Sequence, residues 1–155
     1  MNNLEDLAPW AESFINSLSP KEQKALYRKV ALALRKQNQK RLSKQENPDG
    51  TKWEPRKKRI DKKNERKEGK VAKQKKMMLG LRKAKHMKVQ ANNNGATVGY
   101  TGRVSRIAKA HHYGLSERGK VMGNSITYPE RQLLGVSDID EEVLFEVVLG
   151  KLKEI

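Results

Sequence analysis

The stretch "HMKVQANNNGATVGYTG", residues 86–102, decides the fold. Met87, Val89 and Ala91 alternate with polar residues on one side of Asn92–Gly95, and Val98 and Tyr100 alternate on the other. A period of two places alternate side chains on one face of a strand, and asparagine and glycine accept the positive φ that a tight turn demands. The stretch therefore predicts a β-hairpin. The segments around it read mainly as helices, so the expected class is α+β, in a single domain spanning residues 1–155.

Downstream, "GRVSRIAKAHHYG" (102–114) switches to helical spacing. Val104, Ile107, Ala108 and His111 share one predicted face, Tyr113 braces it, and Gly114 stands where a C-terminal glycine turns the chain. Residues 115–124 are polar and contain glycine, which predicts a loop. Ser125–Tyr128 predicts a short strand, and Pro129–Gly135 an extended segment anchored by Leu133 and Leu134. The expected sheet is small, mixed or antiparallel, and made of the hairpin plus this short strand. A last helix starts at Ser137 or Asp138. Asp140, Glu141 and Glu142 stand in its first turn and Lys151 and Lys153 at its end, matching the helix dipole. Ile139, Val143, Leu144, Val147, Val148 and Leu152 form its predicted apolar face.

Upstream, Met77–Leu81 predicts a short helix. Asn47-Pro48-Asp49-Gly50 is a turn, and Trp53 just after it is expected to pin that loop to the core. The preceding helix runs from Pro20 to about Glu46. Ser19 is its N-cap, Pro20 sits at N1, and Glu22 completes a capping box. Leu26, Val30, Ala31 and Leu34 form its stripe. Its second half, "RKQNQKRLSKQ", offers only Leu42 for burial, so it is either exposed or docked on another part. A first helix over residues 3–18 carries Leu4, Leu7, Ala11, Phe14, Ile15 and Leu18 on one face, with Pro9 near its first turn or kinking it.

The chain of 155 residues is 35% hydrophobic and 34% charged, with a net charge of +16. The apolar material is thin for one domain, so a partner-dependent segment or a subunit finished by assembly is expected. Residues 55–76 hold twelve cations (Arg56, Lys57, Lys58, Arg59, Lys62, Lys63, Arg66, Lys67, Lys70, Lys73, Lys75 and Lys76) against three acids, +9 of the total. With Ile60 and Val71 as its sizeable apolar residues, this stretch cannot build a core and reads as a flexible basic arm. Its functional reading is contact with DNA or an acidic protein; its bland reading is a solvated loop. It has no interleaved aromatics, so any nucleic-acid contact would be to backbone phosphate, non-specific and salt-dependent.

There is no cysteine, which excludes disulfides and cysteine-ligated metals. The N-terminus lacks the pattern of a signal peptide, and no apolar run is long enough to span a bilayer, so a soluble protein that stays where it is made is expected. No phosphate loop, nucleophile elbow, zincin motif or dinucleotide fingerprint occurs. His111 and His112 are neighbours about 100° apart around a helix, so they cannot readily grip one metal. His86 brings no carboxylate cluster with it. The expectation is one histidine facing the core, bonded to a backbone carbonyl, and the other facing solvent or a subunit. No catalytic, metal or cofactor site is expected.

Several segments in order carry a family resemblance: "QENPDGTKWEPRKKR", "MMLGLRKAKHMKV", "YTGRVSRIAKAHHYGL" and "ITYPERQLLGVSDID". Together they resemble the phage virion morphogenesis family of temperate phages with contractile tails, over about Leu18 to Leu152. The most specific matches are Pro48, Asp49, Gly50 and Trp53; Gly102, His111, Tyr113 and Gly114; and Arg131, Leu134 and Gly135. Two positions depart: the family usually has proline where this chain has Gln132, and tends to glutamine where it has His112. The resemblance implies a structural virion protein that completes or terminates the tail and enables head–tail joining. It implies a fold like tail-terminator and neck proteins: a homo-oligomeric ring, commonly a hexamer, in the virion tail or neck, assembled in the host cytoplasm. Implied partners are the tail tube, possible sheath and head–tail connector or neck proteins, and the DNA end non-specifically, with no membrane. The alternative is a basic nucleic-acid-binding protein acting through residues 55–76.

Overall fold

A computed structural model describes residues 4–56, 76–118 and 124–154. In order these form α1 (Leu4–Ser17), α2 (Pro20–Lys44), a 3-10 turn (Leu79–Arg82), β1 (Met87–Asn92), β2 (Gly95–Tyr100), α3 (Gly102–His112), β3 (Ser116–Arg118), β4 (Ser125–Thr127) and α4 (Asp138–Lys153). The class is α+β, as the hairpin and helical patterns require.

α1 runs through Pro9. The serine–proline signal starts α2: Ser19 Oγ accepts the Glu22 N–H at 3.4 Å, and the Glu22 carboxylate accepts the Ser19 N–H at 3.1 Å. The helix stops at Lys44, before the proline turn, because Gln45 enters the left-handed region at φ 62 and its N–H bonds back to Arg41 and Leu42 carbonyls. α2 is the axle of the molecule. Its first half shares a core with α1 and α4, built on Leu18, Leu26 and Val148. Its second half does dock, against the hairpin and the 3-10 turn. There Leu42, Trp53, Met77, Met87, Ala108 and Leu133 form the second core.

α2 and α4 are antiparallel. Arg41 pairs with Asp140 near the start of α4, while Lys29 and Glu22 meet Glu154 and Lys151 near its end. The hairpin register is Met87↔Tyr100 through Asn92↔Gly95, as the alternation predicts. Met87 is buried and Val89 and Ala91 are half-buried on its inner face.

Four expectations are corrected. The short strand β4 does not join the hairpin. It pairs with β3, inside the predicted loop, in the register Ser116↔Thr127 to Arg118↔Ser125. That ribbon is nearly all polar, held by a 2.7 Å hydroxyl bond between Ser116 and Thr127 and by Arg106 on Glu117, so no apolar alternation announces it. Second, the short helix expected over Met77–Leu81 is a 3-10 turn and starts later, at Leu79: Met77 is buried and Met78 takes a positive φ. Third, Ile107 is 51% exposed; Ala108 is buried as the predicted face requires, and Ala110 is buried in place of Ile107. Fourth, Ile139 is 70% and Leu152 40% exposed. Asp140 takes the inward position one residue on, about 100° around the helix, because Arg41 waits for it there.

Leu42 is fully buried, so Leu42→Ala should lose about 2–5 kcal/mol in urea unfolding. Ile107→Ala should stay within about 0.5 kcal/mol of the parent. Equal losses at both sites would contradict the assigned face of α3.

Candidate functional site

The family-like motifs, far apart in sequence, meet at one place. Its centre is the extended segment 128–135, which belongs to no sheet. Such a segment needs a partner for each buried backbone group, and side chains and helix ends supply them.

α3 ends in a Schellman-type cap: Gly114 takes φ +63, and the Leu115 N–H donates to the Ala110 carbonyl at 2.8 Å. A Cβ on Gly114 would sit 3.0 Å from Glu130 N and 3.1 Å from the Tyr128 carbonyl oxygen. Glycine is therefore required twice, for the turn and for the close passage of the segment. Beyond it the Arg131 N–H donates to the His111 carbonyl (2.8 Å), and the Leu133 N–H to His112 Nδ1 (3.1 Å). The Gln132 N–H donates to Asn47 Oδ1 and the Gly135 N–H to Asn38 Oδ1, both at 2.9 Å. The buried Arg131 guanidinium donates twice to the Glu54 carbonyl, at 3.1 and 2.8 Å, which ties the segment to the chain just after Trp53.

The Pro48-Asp49-Gly50 turn is the opposite wall. Asp49 accepts from the Thr51 N–H and hydroxyl, at 2.9 and 2.6 Å, and these bonds hold its carboxyl below the usual carboxylate range. Gly50 adopts φ +84. A Cβ on Gly135 would overlap Pro48 Cγ, so the two motifs are fitted against each other. Beneath them Arg41 donates to Asp140, to Asn38 Oδ1 (2.8 Å) and to the Gly135 carbonyl (2.6 Å). Ser137 caps α4 and donates its N–H to the same Asp140 carboxylate.

Both histidines differ from expectation. Neither ring bonds a backbone carbonyl among the described residues. His112 is the one that grips the segment, as an acceptor, while His111 lies against the Tyr128 ring with centroids 4.4 Å apart. His111 Nδ1 is buried with no hydrogen-bond partner among the described residues. Burial, helped at His111 by the Arg131 charge, pushes both imidazoles below their ordinary value, so both are neutral at pH 7. Tyr113 is 60% exposed and packs edge-on against His112, so it braces that ring from outside. A glutamine at 112 offers a carbonyl oxygen for the same Leu133 N–H. A proline at 132 would remove the N–H that Asn47 accepts. Gln132 thus makes a bond that a proline at this position could not make.

Of the twelve cations in the basic stretch, Arg56 and Lys76 lie among the described residues; Lys57 to Lys75 lie outside them. Gly102 opens α3 at φ +63, away from the Pro48 turn. Leu134 is half-buried against the second core. Sequence patterns do not single out Asn38, Arg41, Gln45, Asn47 or Asp140. Amides within a polar helical stretch, and one directly before a proline, are the available signal. Among the described residues no group of three or more histidines or carboxylates could hold a metal, and no helix is long and apolar enough to cross a membrane.

The family model described as the phage virion morphogenesis family matches residues 2–153. Tail completion protein S of Escherichia phage P2 is 32% identical over 154 residues, 99% of either chain. No solved structure gives a significant match.

Gly135→Ala should destabilise by about 1–3 kcal/mol in urea unfolding, because the Pro48 ring has to move. His112→Ala should cost about 1–3 kcal/mol by orphaning the Leu133 N–H, while His112→Gln should be nearly silent at pH 7. The folded histidines have lowered pKa values, so the unfolded chain takes up more protons as pH falls through 6.5. Stability should therefore be full above pH 6.5 and decline below it. Thermal melts should show a shallower decline for His112→Gln than for the parent.

Proposed function

Since this chain belongs to the phage virion morphogenesis family, we propose that it completes the tail, as the name of its P2 relative describes, closing the end that joins the head. The observation that carries the reading is whole-length relatedness; most of the motifs that carry the sequence resemblance are also laced into one structural knot. The knot serves shape: it fixes α3, α4 and the Pro48 turn relative to α2.

A ring is the form that fits. Subunits in a ring meet through two different surfaces. Two exposed apolar groups are available for them. One comprises Ile107, Tyr113, Leu115 and Ile126 on α3 and the β3–β4 ribbon; the other is Val136 and Ile139 at the start of α4. Large apolar side chains at 49–70% exposure, such as Ile139 and Val136, are what assembly would cover. Sixfold closure, contact with the tube end and the head connector, and a place at the neck of the virion follow the same reading. A second reading, a protein working mainly on nucleic acid through residues 55–76, draws on their +9 charge. Within the first reading that stretch faces the incoming DNA end or a neighbouring ring.

Electron microscopy of the purified protein should show rings, and phage lacking it should accumulate tails that fail to join heads. Tails of normal length that join heads without the protein would remove the reading. Ile139→Asp should reduce assembly at least about tenfold while leaving the thermal midpoint of the free subunit unchanged.

A further inference from the structure

Between the second half of α2 and the 3-10 turn runs an open groove of about 540 Å³, lined by Lys36, Gln39, Lys40, Ser43, Lys44, Arg82 and Lys83. We propose that this groove is a binding track for the phosphate backbone of double-stranded DNA, distinct from the 55–76 arm.

Five of its seven lining residues are cations, and none of the five is in an ion pair among the described residues. The nearby Glu46 carboxylate is taken by Lys52. α2 contains no acidic residue after Glu22, so nothing on this helix neutralises the row. Lys36, Lys40 and Lys44 stand one turn apart, about 6 Å along the axis at each step. Like charges at this spacing destabilise a helix, and an anion laid along them relieves the repulsion. The floor is built to stay in place. Gln39 Nε2 donates to the Arg82 carbonyl at 2.5 Å, and Arg82 Nη1 to Ser43 Oγ at 2.8 Å, which clamps the turn to the helix.

The lining chooses phosphate over an acidic protein. The lining offers no aromatic or large aliphatic anchor, and protein interfaces are poor in lysine and rich in such anchors. The absence of stacking rings also points to backbone rather than bases. The row is also fixed at its end. Gln45 follows Lys44 directly. Its carbonyl accepts the Trp53 N–H at 2.8 Å, and its side chain bonds both the N–H and the carbonyl of Met77, at 2.6 and 3.0 Å. The lysine row thus ends at a point tied to Trp53 and Met77, which flank the basic stretch in sequence.

The test is fluorescence anisotropy with the full chain and a 30-base-pair DNA of arbitrary sequence, from 50 to 300 mM salt. Variants are Lys36→Gln/Lys40→Gln/Lys44→Gln, the single Lys40→Glu, and a chain with the 57–75 cations changed to glutamine. The triple variant should keep the parent's thermal midpoint. It should bind on the order of tenfold or more weakly at 100 mM salt, with a salt slope shallower by about 0.9 for every phosphate it no longer neutralises. Lys40→Glu should weaken binding in the same direction, which covers the case of a triple variant that misfolds. The arm-neutralised chain should retain a measurable part of the slope. A parent that does not bind DNA at 50 mM salt overturns the proposal. So does a groove variant with unchanged affinity and slope, or an arm-neutralised chain with no slope left. Equal binding of poly-glutamate, with the same sensitivity to the groove variants, would assign the groove to an acidic protein instead. None of these outcomes depends on ring formation, so the tail reading stands or falls separately.

Discussion

Arg41 holds three parts of the chain at once. Its guanidinium, mostly buried on α2, donates to the Asp140 carboxylate on α4, to the Asn38 side chain one turn back, and to the Gly135 carbonyl. Asp140 is itself buried, and it also receives the Ser137 N–H as part of the α4 cap. A buried carboxylate is tolerable only when its charge and lone pairs are met, and here a guanidinium and a backbone N–H meet them. Remove either partner and the other charge is stranded between the two cores. The antiparallel seating of α4 on α2, the end of the extended segment, and the approach of Gly135 to Pro48 all follow from this one arrangement.

The same arrangement explains what the sequence discloses and what it hides. The hairpin is legible because alternation and the Asn-rich turn are local properties. The Ser19–Glu22 capping box is legible because it lies within one turn; the Ser137–Asp140 box is equally local, but Ser137 and Asp138 compete as its cap in the sequence. Gly114 is legible as a helix end, since a positive φ at that place favours glycine whatever surrounds it. By contrast, Asp140 has a sufficient local explanation as a charge in the first turn of a helix, and its second role depends on a residue 99 positions away. Isoleucine usually faces inward, which is why helical spacing alone puts Ile139 inside; the Arg41 pair rotates the helix the other way. Ile107 misleads because helical spacing groups it with Ala108, while the buried positions of α3 are Ala108 and Ala110.

His112 shows how local chemistry can be right in kind and wrong in assignment. Helical geometry divides the pair into one inward and one outward ring. The rings do divide their work, but the hydrogen bond falls to the residue at which the family pattern is expected to vary. What has to persist at position 112 is an acceptor for the Leu133 N–H, and both imidazole and carboxamide provide one. Identity can change while the bond is kept.

The low apolar content follows from the same physics. An extended segment outside any sheet presents its N–H and C=O groups to whatever it packs on. An aliphatic helix face would leave them unsatisfied, at a cost per group comparable to a lost hydrogen bond. Helix α2 therefore meets the segment with Asn38 and Arg41, the Pro48 turn with Asn47, and α3 with His112 and a free carbonyl at its end. Leucine is needed only where side chain meets side chain, at Leu42 and Leu133. A segment held this way is also fixed in register, because sliding by one residue would break every one of these bonds while an apolar contact would merely shift. That fixity accounts for motifs rich in Asn, Arg, His, Gly and Pro rather than in aliphatic residues.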